Sequence, residues 1–189
     1  MGRVSQAQAQ ENRERIVDTA SRLFREQGTH VSVADLMKAA GLTHGGFYKR
    51  FDSKEALIDE ATTHAFDELA ERWTVTLERH AGREEAARQA LIDAYLSVEH
   101  RDNAADGCPV AGLAADMARG TGERESYRAY AEGVRGFVDR LAADNDGDAE
   151  GITRLCTMLG ALVLARATKD FPLSEEILAT ARAALAASD

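Results

Sequence analysis

Proline is nearly missing from this sequence. Pro109 and Pro172 are the only two in 189 residues, which leaves most segments free to run as helices. Cysteine is as scarce: Cys108 and Cys156 cannot make a disulfide framework, and both are expected as free thiols in a cytoplasmic protein. Long hydrophobic runs are lacking too. The apolar stretch LCTMLGALVLA, residues 155–165, has 11 residues between Arg154 and Arg166, too few to span a bilayer, and reads as a buried or interface helix. The opening MGRVSQAQAQ lacks the apolar core of a secretory signal, and Gln6 breaks the myristoylation pattern. No GxSxG, P-loop, HExxH or paired CxxC occurs. Catalytic residues: none; metal: none; cofactors: none. The chain is not expected to be an enzyme or to contact a membrane.

Positive charge is the minority, with 23 Lys/Arg against 32 Asp/Glu and a net charge of −9, which at first argues against a polyanionic partner. The distribution changes that. Residues 1–54 hold nine Lys/Arg and six Asp/Glu, net +3, and the rest holds 14 against 26, net −12. Either this is ordinary scatter, or any polyanion contact belongs to the head.

Helical periodicity runs through the chain. Residues 1–10 read as a polar tail. Ile16, Ala20, Leu23 and Phe24 make one stripe over residues 11–27, ended by Gly28. Ser32 and Asp35 match a capping box before Leu36, Ala39 and Ala40, and Gly41 ends that helix. Thr43 is the next N-cap, with a helix over 44–50, and Asp52 or Ser53 caps a long one over 54–80. That helix carries Leu57, Ile58, Ala61, Ala65, Leu69 and Trp73 at helical spacing. Further helices are expected near 83–100, 109–119, 123–144, 148–168 and 174–187, separated by RDNAADGCP, RGTGE, DNDGD and KDFPLS. The fold class is all-α, with about nine helices.

The stretch GLTHGGFYKRF, residues 41–51, places two adjacent glycines in a helical region, where each costs about 1 kcal/mol against alanine. Two short helices joined at Gly41-Leu42 make a helix-turn-helix, whose second helix points its first turn into the DNA major groove. Gly45 and Gly46 fall in that turn and let the backbone come close to a duplex. Phe47 and Phe51 can face a small core while Tyr48, Lys49 and Arg50 point outward.

RIVDTASRLFREQG followed by SVADLMKAAGLTHGGFYKRFDSKEALI resembles the TetR family of one-component transcriptional regulators (TetR/AcrR type) over residues 11–61. The resemblance implies a helix-turn-helix DNA-binding domain, residues 1–53, and a helical effector-binding and dimerisation domain, residues 54–189. It implies that Ser32 touches phosphate, that Thr43, His44 and Gly45 approach bases, and that Tyr48, Lys49 and Lys54 bind phosphates. Ser32 stands where threonine is common, and His44-Gly45-Gly46 is a variant of its own. Alternatives stay open for several residues. Tyr48 could be half-buried packing, Arg50 a solvated charge, His44 a polar surface residue, and Arg3 a minor-groove arm or plain tail.

Trp73, Tyr95, Met117, Tyr127 and Tyr130 are the large residues available for an effector pocket, or else simply core. Cys108, before Pro109 at a helix start, is expected as an N-cap whose thiolate the helix dipole stabilises. The segment resembles a GCP-type helix start in a branch of the family that includes electrophile and oxidant sensors; the alternative is a cap whose sulfur does nothing. Cys156 is expected as inert packing. Glu99, His100 and Asp102 are close in sequence, but a solvated helix end is the better reading than a metal site.

Ile152, Leu155, Leu159, Leu162 and Val163 form a wide apolar face, and Ile177, Leu178, Ala181 and Leu185 a matching stripe. The family implies that the last two helices dimerise as a four-helix bundle, an intramolecular core being the competing use of the same residues. The reading is a homodimeric repressor that binds a double-stranded DNA operator and leaves it on binding a small-molecule effector. A helical small-molecule carrier or enzyme retaining a helix-turn-helix as scaffold is the first alternative, and an interaction adaptor the second.

Overall fold

The computed structural model describes residues 6–120, 124–142 and 148–187. Among them are nine α-helices, one short 3-10 turn and no strand. Arg3 lies outside the described residues, as do most of the breaks expected at RGTGE and DNDGD.

Helix α1 spans Gln6–Gln27, so the expected tail is helical from its sixth residue. Gln8 donates to Glu11 at 2.9 Å and Gln10 to Glu14 at 2.8 Å, pairs one turn apart that extend the helix. Gly28, at φ 84°, ends it. Helix α2, Val33–Ala39, starts on Ser32, whose Oγ accepts the Asp35 amide at 3.1 Å. Its core face is Leu36, Met37 and Ala40; Ala39, expected inside, is exposed. Gly41, at φ 69°, closes α2, its amide bonding to Lys38 O at 3.0 Å and that of Leu42 to Met37 O at 2.8 Å. This paired closure needs a left-handed residue, hence the glycine.

The expected helix over 44–50 is instead a 3-10 turn, His44–Gly46, followed by a second turn. The amides of Gly46 and Phe47 reach back three residues, to Thr43 O at 2.9 Å and His44 O at 3.1 Å. Two adjacent glycines are poor helix formers, and the tighter turn is what remains. Ser53, rather than Asp52, caps α3 (Lys54–Arg79), accepting the Ala56 amide at 3.0 Å.

The body continues with α4, Glu84–Tyr95, and α5, Val98–Asp102. One helix was expected over 83–100, but Ser97 breaks it by capping α5 through the His100 amide at 3.1 Å. Then follow α6 (Pro109–Arg119), α7 (Glu125–Leu141), α8 (Asp148–Ala167) and α9 (Leu173–Ala186).

Two cores result. One gathers Ile16, Phe24, Leu36, Met37, Phe47, Phe51, Leu57 and Ala61, with Leu113 from α6. The other gathers Leu69, Trp73, Ile92, Tyr95, Phe137, Leu141, Leu155, Met158, Leu162, Leu178 and Leu185. Helix α3 serves both. Where α6 crosses α1, a Cβ on Gly112 would lie 2.9 Å from the Arg25 Cα, so the crossing is as close as a glycine allows.

Candidate nucleic-acid interface and ligand cavity

At the tip formed by residues 43–49, Phe47 and Phe51 stack at 5.4 Å in the head core. With those rings inward, the residues between them turn out. Tyr48 is 66% exposed, its ring meeting those of Phe47 and His44 edge-on, and Lys49, Thr43, His44 and Gly45 are exposed as well. Thr43 is the N-cap by backbone conformation, but its side chain makes no capping bond. Neither glycine has a left-handed backbone. A Cβ added to Gly45 would meet nothing within 4 Å, whereas one on Gly46 would lie 3.0 Å from Arg50 Nη1, with Met37 Cε at 3.6 Å and Thr43 Oγ1 at 3.8 Å. Nothing inside the chain therefore requires Gly45, while a side chain at Gly46 would press on the Arg50 guanidinium.

The other tip residues are partly committed. Arg50 folds back, Nη1 donating to Gly46 O at 2.7 Å. Ser32 donates its proton to Asp35 at 2.6 Å and would have to release it to bind a phosphate. Lys54 stands half-buried at the start of α3.

A cavity of about 540 Å3 lies in the body, opening to solvent between α3, α4, α7 and the 103–108 loop. Trp73, Tyr95 and Cys108 line it, together with Leu69, Leu91 and Phe137 and, among the polar groups, Arg72, Glu99, His100, Asn103 and Asp106. Met117, Tyr127 and Tyr130 do not. Met117 packs against the head core, Tyr127 lies against Gly120, and Tyr130 sits between the two cores, donating to Val110 O at 2.8 Å. Burial and proximity to Cys108 push its phenol up to about 12. Phe137 is missing from the residues expected around the pocket, and the loop residues carry no periodic signal and become wall only through folding.

Cys108 is the N-cap of α6 by backbone conformation, but it is 3% exposed and its side chain makes no capping bond. Burial pushes its thiol above the ordinary range, outweighing the Ala111 and Val110 amides and the Tyr95 hydroxyl that favour the thiolate. The expected dipole-activated thiolate is thus overturned by desolvation. Beside it, His100 Nε2 accepts the Cys108 amide at 3.0 Å while Nδ1 donates to Tyr95 O at 2.7 Å. Burial lowers His100 to about 4. Both ring nitrogens are used, so His100 has no lone pair for a metal, and Asp102 is paired with Arg101 at 2.8 Å.

The loop is tied to the head. Arg25, 4% exposed on α1, donates Nη1 to Gly107 O at 3.2 Å, and burial lowers its pKa. Arg22 pairs with Asp106, and Arg72 donates to Asp106 O at 2.7 Å.

On the last two helices, Leu155, Leu162, Leu178 and Leu185 belong to the chain's own core. Ile152 and Val163 are exposed, and Leu159, Ile177 and Ala181 are half-buried. Leu164, Phe171 and Leu173 add to the apolar surface. Cys156, expected as packing, is exposed because it lies on the α8 face turned from that core. No helix among the described residues is long and apolar enough to cross a membrane.

Residues 16–61 match the family of bacterial regulatory proteins named tetR. Over 61 residues the chain is 43% identical to the HTH-type transcriptional regulator AcrR of Shigella flexneri, covering 32% of this chain and 28% of that one. Over 58 residues it is 40% identical to the HTH-type transcriptional repressor KstR2 of Rhodococcus jostii, covering 30% and 28%. The matches thus span under a third of these curated relatives. A crystal structure of a TetR transcriptional regulator from Chloroflexus aurantiacus superposes with a TM-score of 0.79 at 25% identity, covering 96% of this chain and 95% of that one.

Proposed function

From the chain's membership of the tetR family of bacterial regulatory proteins, we propose that it is a homodimeric repressor that holds a DNA operator until a small effector enters the body. The family is one of DNA-binding regulators rather than enzymes, which disfavours the carrier-or-enzyme alternative. The observation that carries this reading is the tip. Gly45, which neither backbone conformation nor internal packing requires, stands beside Gly46 and the exposed Tyr48 and Lys49. The use of Gly45 is close approach to an outside surface, and the mild positive charge of residues 1–54 suits a phosphate backbone.

Residues 1–53 form the reader, and residues 54–189 the effector-binding and dimerisation domain, at work in the cytoplasm. Thr43, His44 and Gly45 read base edges, and Tyr48, Lys49 and Lys54 hold phosphates, joined by Ser32 and Arg50 once they release their internal partners. Two chains pair through the apolar surface around Ile152, Leu159, Val163, Ile177 and Ala181, which sets two tips roughly 34–36 Å apart. The effector is a flat, largely apolar molecule with one polar end, matching Trp73, Tyr95 and Phe137 inside the cavity and Arg72, Glu99 and Asp106 among its polar groups. Moving the 103–108 loop pulls on α1 through Arg25 and Arg22, which gives the effector different affinities for the DNA-bound and free states.

Noncovalent occupancy fits the buried, protonated Cys108 better than attack by an electrophile or oxidant; Cys108→Ser leaves release intact in the first case and abolishes it in the second. The test of the whole reading is fluorescence anisotropy on DNA selected from a random pool. Affinity falls with salt, and Lys49→Ala lowers it at every sequence while reducing the salt slope by about one. Binding that ignores both salt and Lys49→Ala would overturn the proposal.

A further inference from the structure

Asp18 of α1 and His64 and Glu68 of α3 bring one imidazole nitrogen and two carboxylate oxygens within 4.8 Å of one another. His64 Nε2 lies 3.8 Å from Asp18 Oδ1 and 3.6 Å from Glu68 Oε1, too far for hydrogen bonds to either. The atom is shut off from solvent and makes no hydrogen bond, although the ring itself is 37% exposed. A buried nitrogen aimed between two carboxylates is poorly served by the fold alone. With its proton on Nδ1, it offers a lone pair to the same gap the two oxygens face.

The geometry points to a divalent transition-metal site, of the zinc class, that clasps α1 to α3. Metal–donor bonds of about 2.0–2.2 Å put neighbouring donors of a tetrahedral site roughly 3.3 Å apart. The imidazole–carboxylate gaps close by roughly half an ångström to reach that spacing. His64 and Glu68 are four residues apart and share one helix face, so α3 fixes two ligands at once. Asp18, 52% exposed on α1, has room to move in as the third. Water completes the coordination.

The surroundings support a cation. Glu68 uses Oε2 for the buried Arg25, at 2.9 Å, which leaves Oε1 turned to His64. Arg25 is itself anchored on Ser21 O and Gly107 O, so the carboxylate is oriented as the outer partners of metal ligands usually orient theirs. Its charge opposes a metal, but the groove opening beside His64 carries Glu14 and Asp67 in addition to Glu60, Asp59 and Glu125, which pair with Arg13, Arg124 and Arg128, and its remaining acidity draws cations in.

The test uses the full chain, without added histidines and stripped of metal, titrated with zinc by calorimetry in the absence of DNA. The expected result is saturable binding of one zinc per chain with a raised Tm. Cobalt gives visible absorption of a low-coordinate site. His64→Ala and Asp18→Asn each weaken zinc by at least the roughly tenfold that loss of even an outer partner costs. His80→Ala, at the far end of α3, leaves it unchanged. Lack of saturable binding, or binding undiminished in both His64→Ala and Asp18→Asn, overturns the site and leaves only an imidazole beside two carboxylates. Should His64→Ala not fold, the exposed Asp18→Asn decides alone.

Discussion

The tip and the cavity treat their polar groups in opposite ways. At the tip, Thr43, His44, Tyr48 and Lys49 face solvent with few internal bonds, and Gly45 leaves open a surface the chain does not fill. Around the cavity, His100, Arg25, Arg72 and Arg166 are spent on backbone carbonyls, and Cys108 is sealed into the core. A region that meets a partner keeps its donors free. Under the proposed function, the region behind the cavity keeps them engaged, so that disturbing one bond disturbs the loop and the helix behind it.

The sharpest way to break this contrast is to empty the head core beneath the tip. Phe47 is fully buried, and Phe47→Ala is expected to cost about 3–5 kcal/mol by denaturant unfolding. Because α3 carries both cores, a single cooperative transition should move. A separate early transition confined to the head would show that the two regions are uncoupled.

The cavity side is probed by acid. His100 is lowered to about 4 by burial, against an unfolded value near 6.5. The unfolded chain therefore takes up a proton first. The stability contributed by neutral His100 is whole above the unfolded value and is lost progressively as pH falls toward the folded one. Between pH 7 and pH 5 the loss from this residue is about 2 kcal/mol, and His100→Gln should flatten that part of the profile. An unchanged profile would mean that His100 is not held neutral.

The smallest effect is at the tip. Gly45→Ala meets no neighbour and removes a poor helix former, so stability should hold or rise by up to about 1 kcal/mol. DNA affinity should nevertheless fall, which would separate a residue kept for a partner from one kept for the fold. Equal affinity would mean that the tip does not approach a duplex through Gly45.

The head was legible because its signals are local. Gly28, Gly41, the Ser32 cap and the Phe47–Phe51 spacing each fix conformation within a few residues, and each stands in the structure as read. The two glycines misled only on helix type, since the expectation followed spacing and the turn followed propensity. The body was legible as helices but not as surfaces. Leu155, Leu162, Leu178 and Leu185 look the same in sequence whether they face a partner or their own core, and only the packing of α7 to α9 decides. Cys108 misled because a helix start favours a thiolate while burial, invisible in sequence, disfavours it more. Asp18 stands far along the chain from His64 and Glu68, and no spacing rule joins them.

Helix α3, at 26 residues, is a rod of roughly 39 Å whose first turns belong to one core and whose later turns to the other. Transplanting this reader onto a foreign sensor would therefore fail if cut at residue 53. Leu57, Ile58 and Ala61 would be left behind, and Phe47 and Phe51 would lose their floor. Inside the rod the handover falls between Ala61 and Leu69, where the helix passes from one set of neighbours to the next, while Leu113 of α6 still closes the first core from outside.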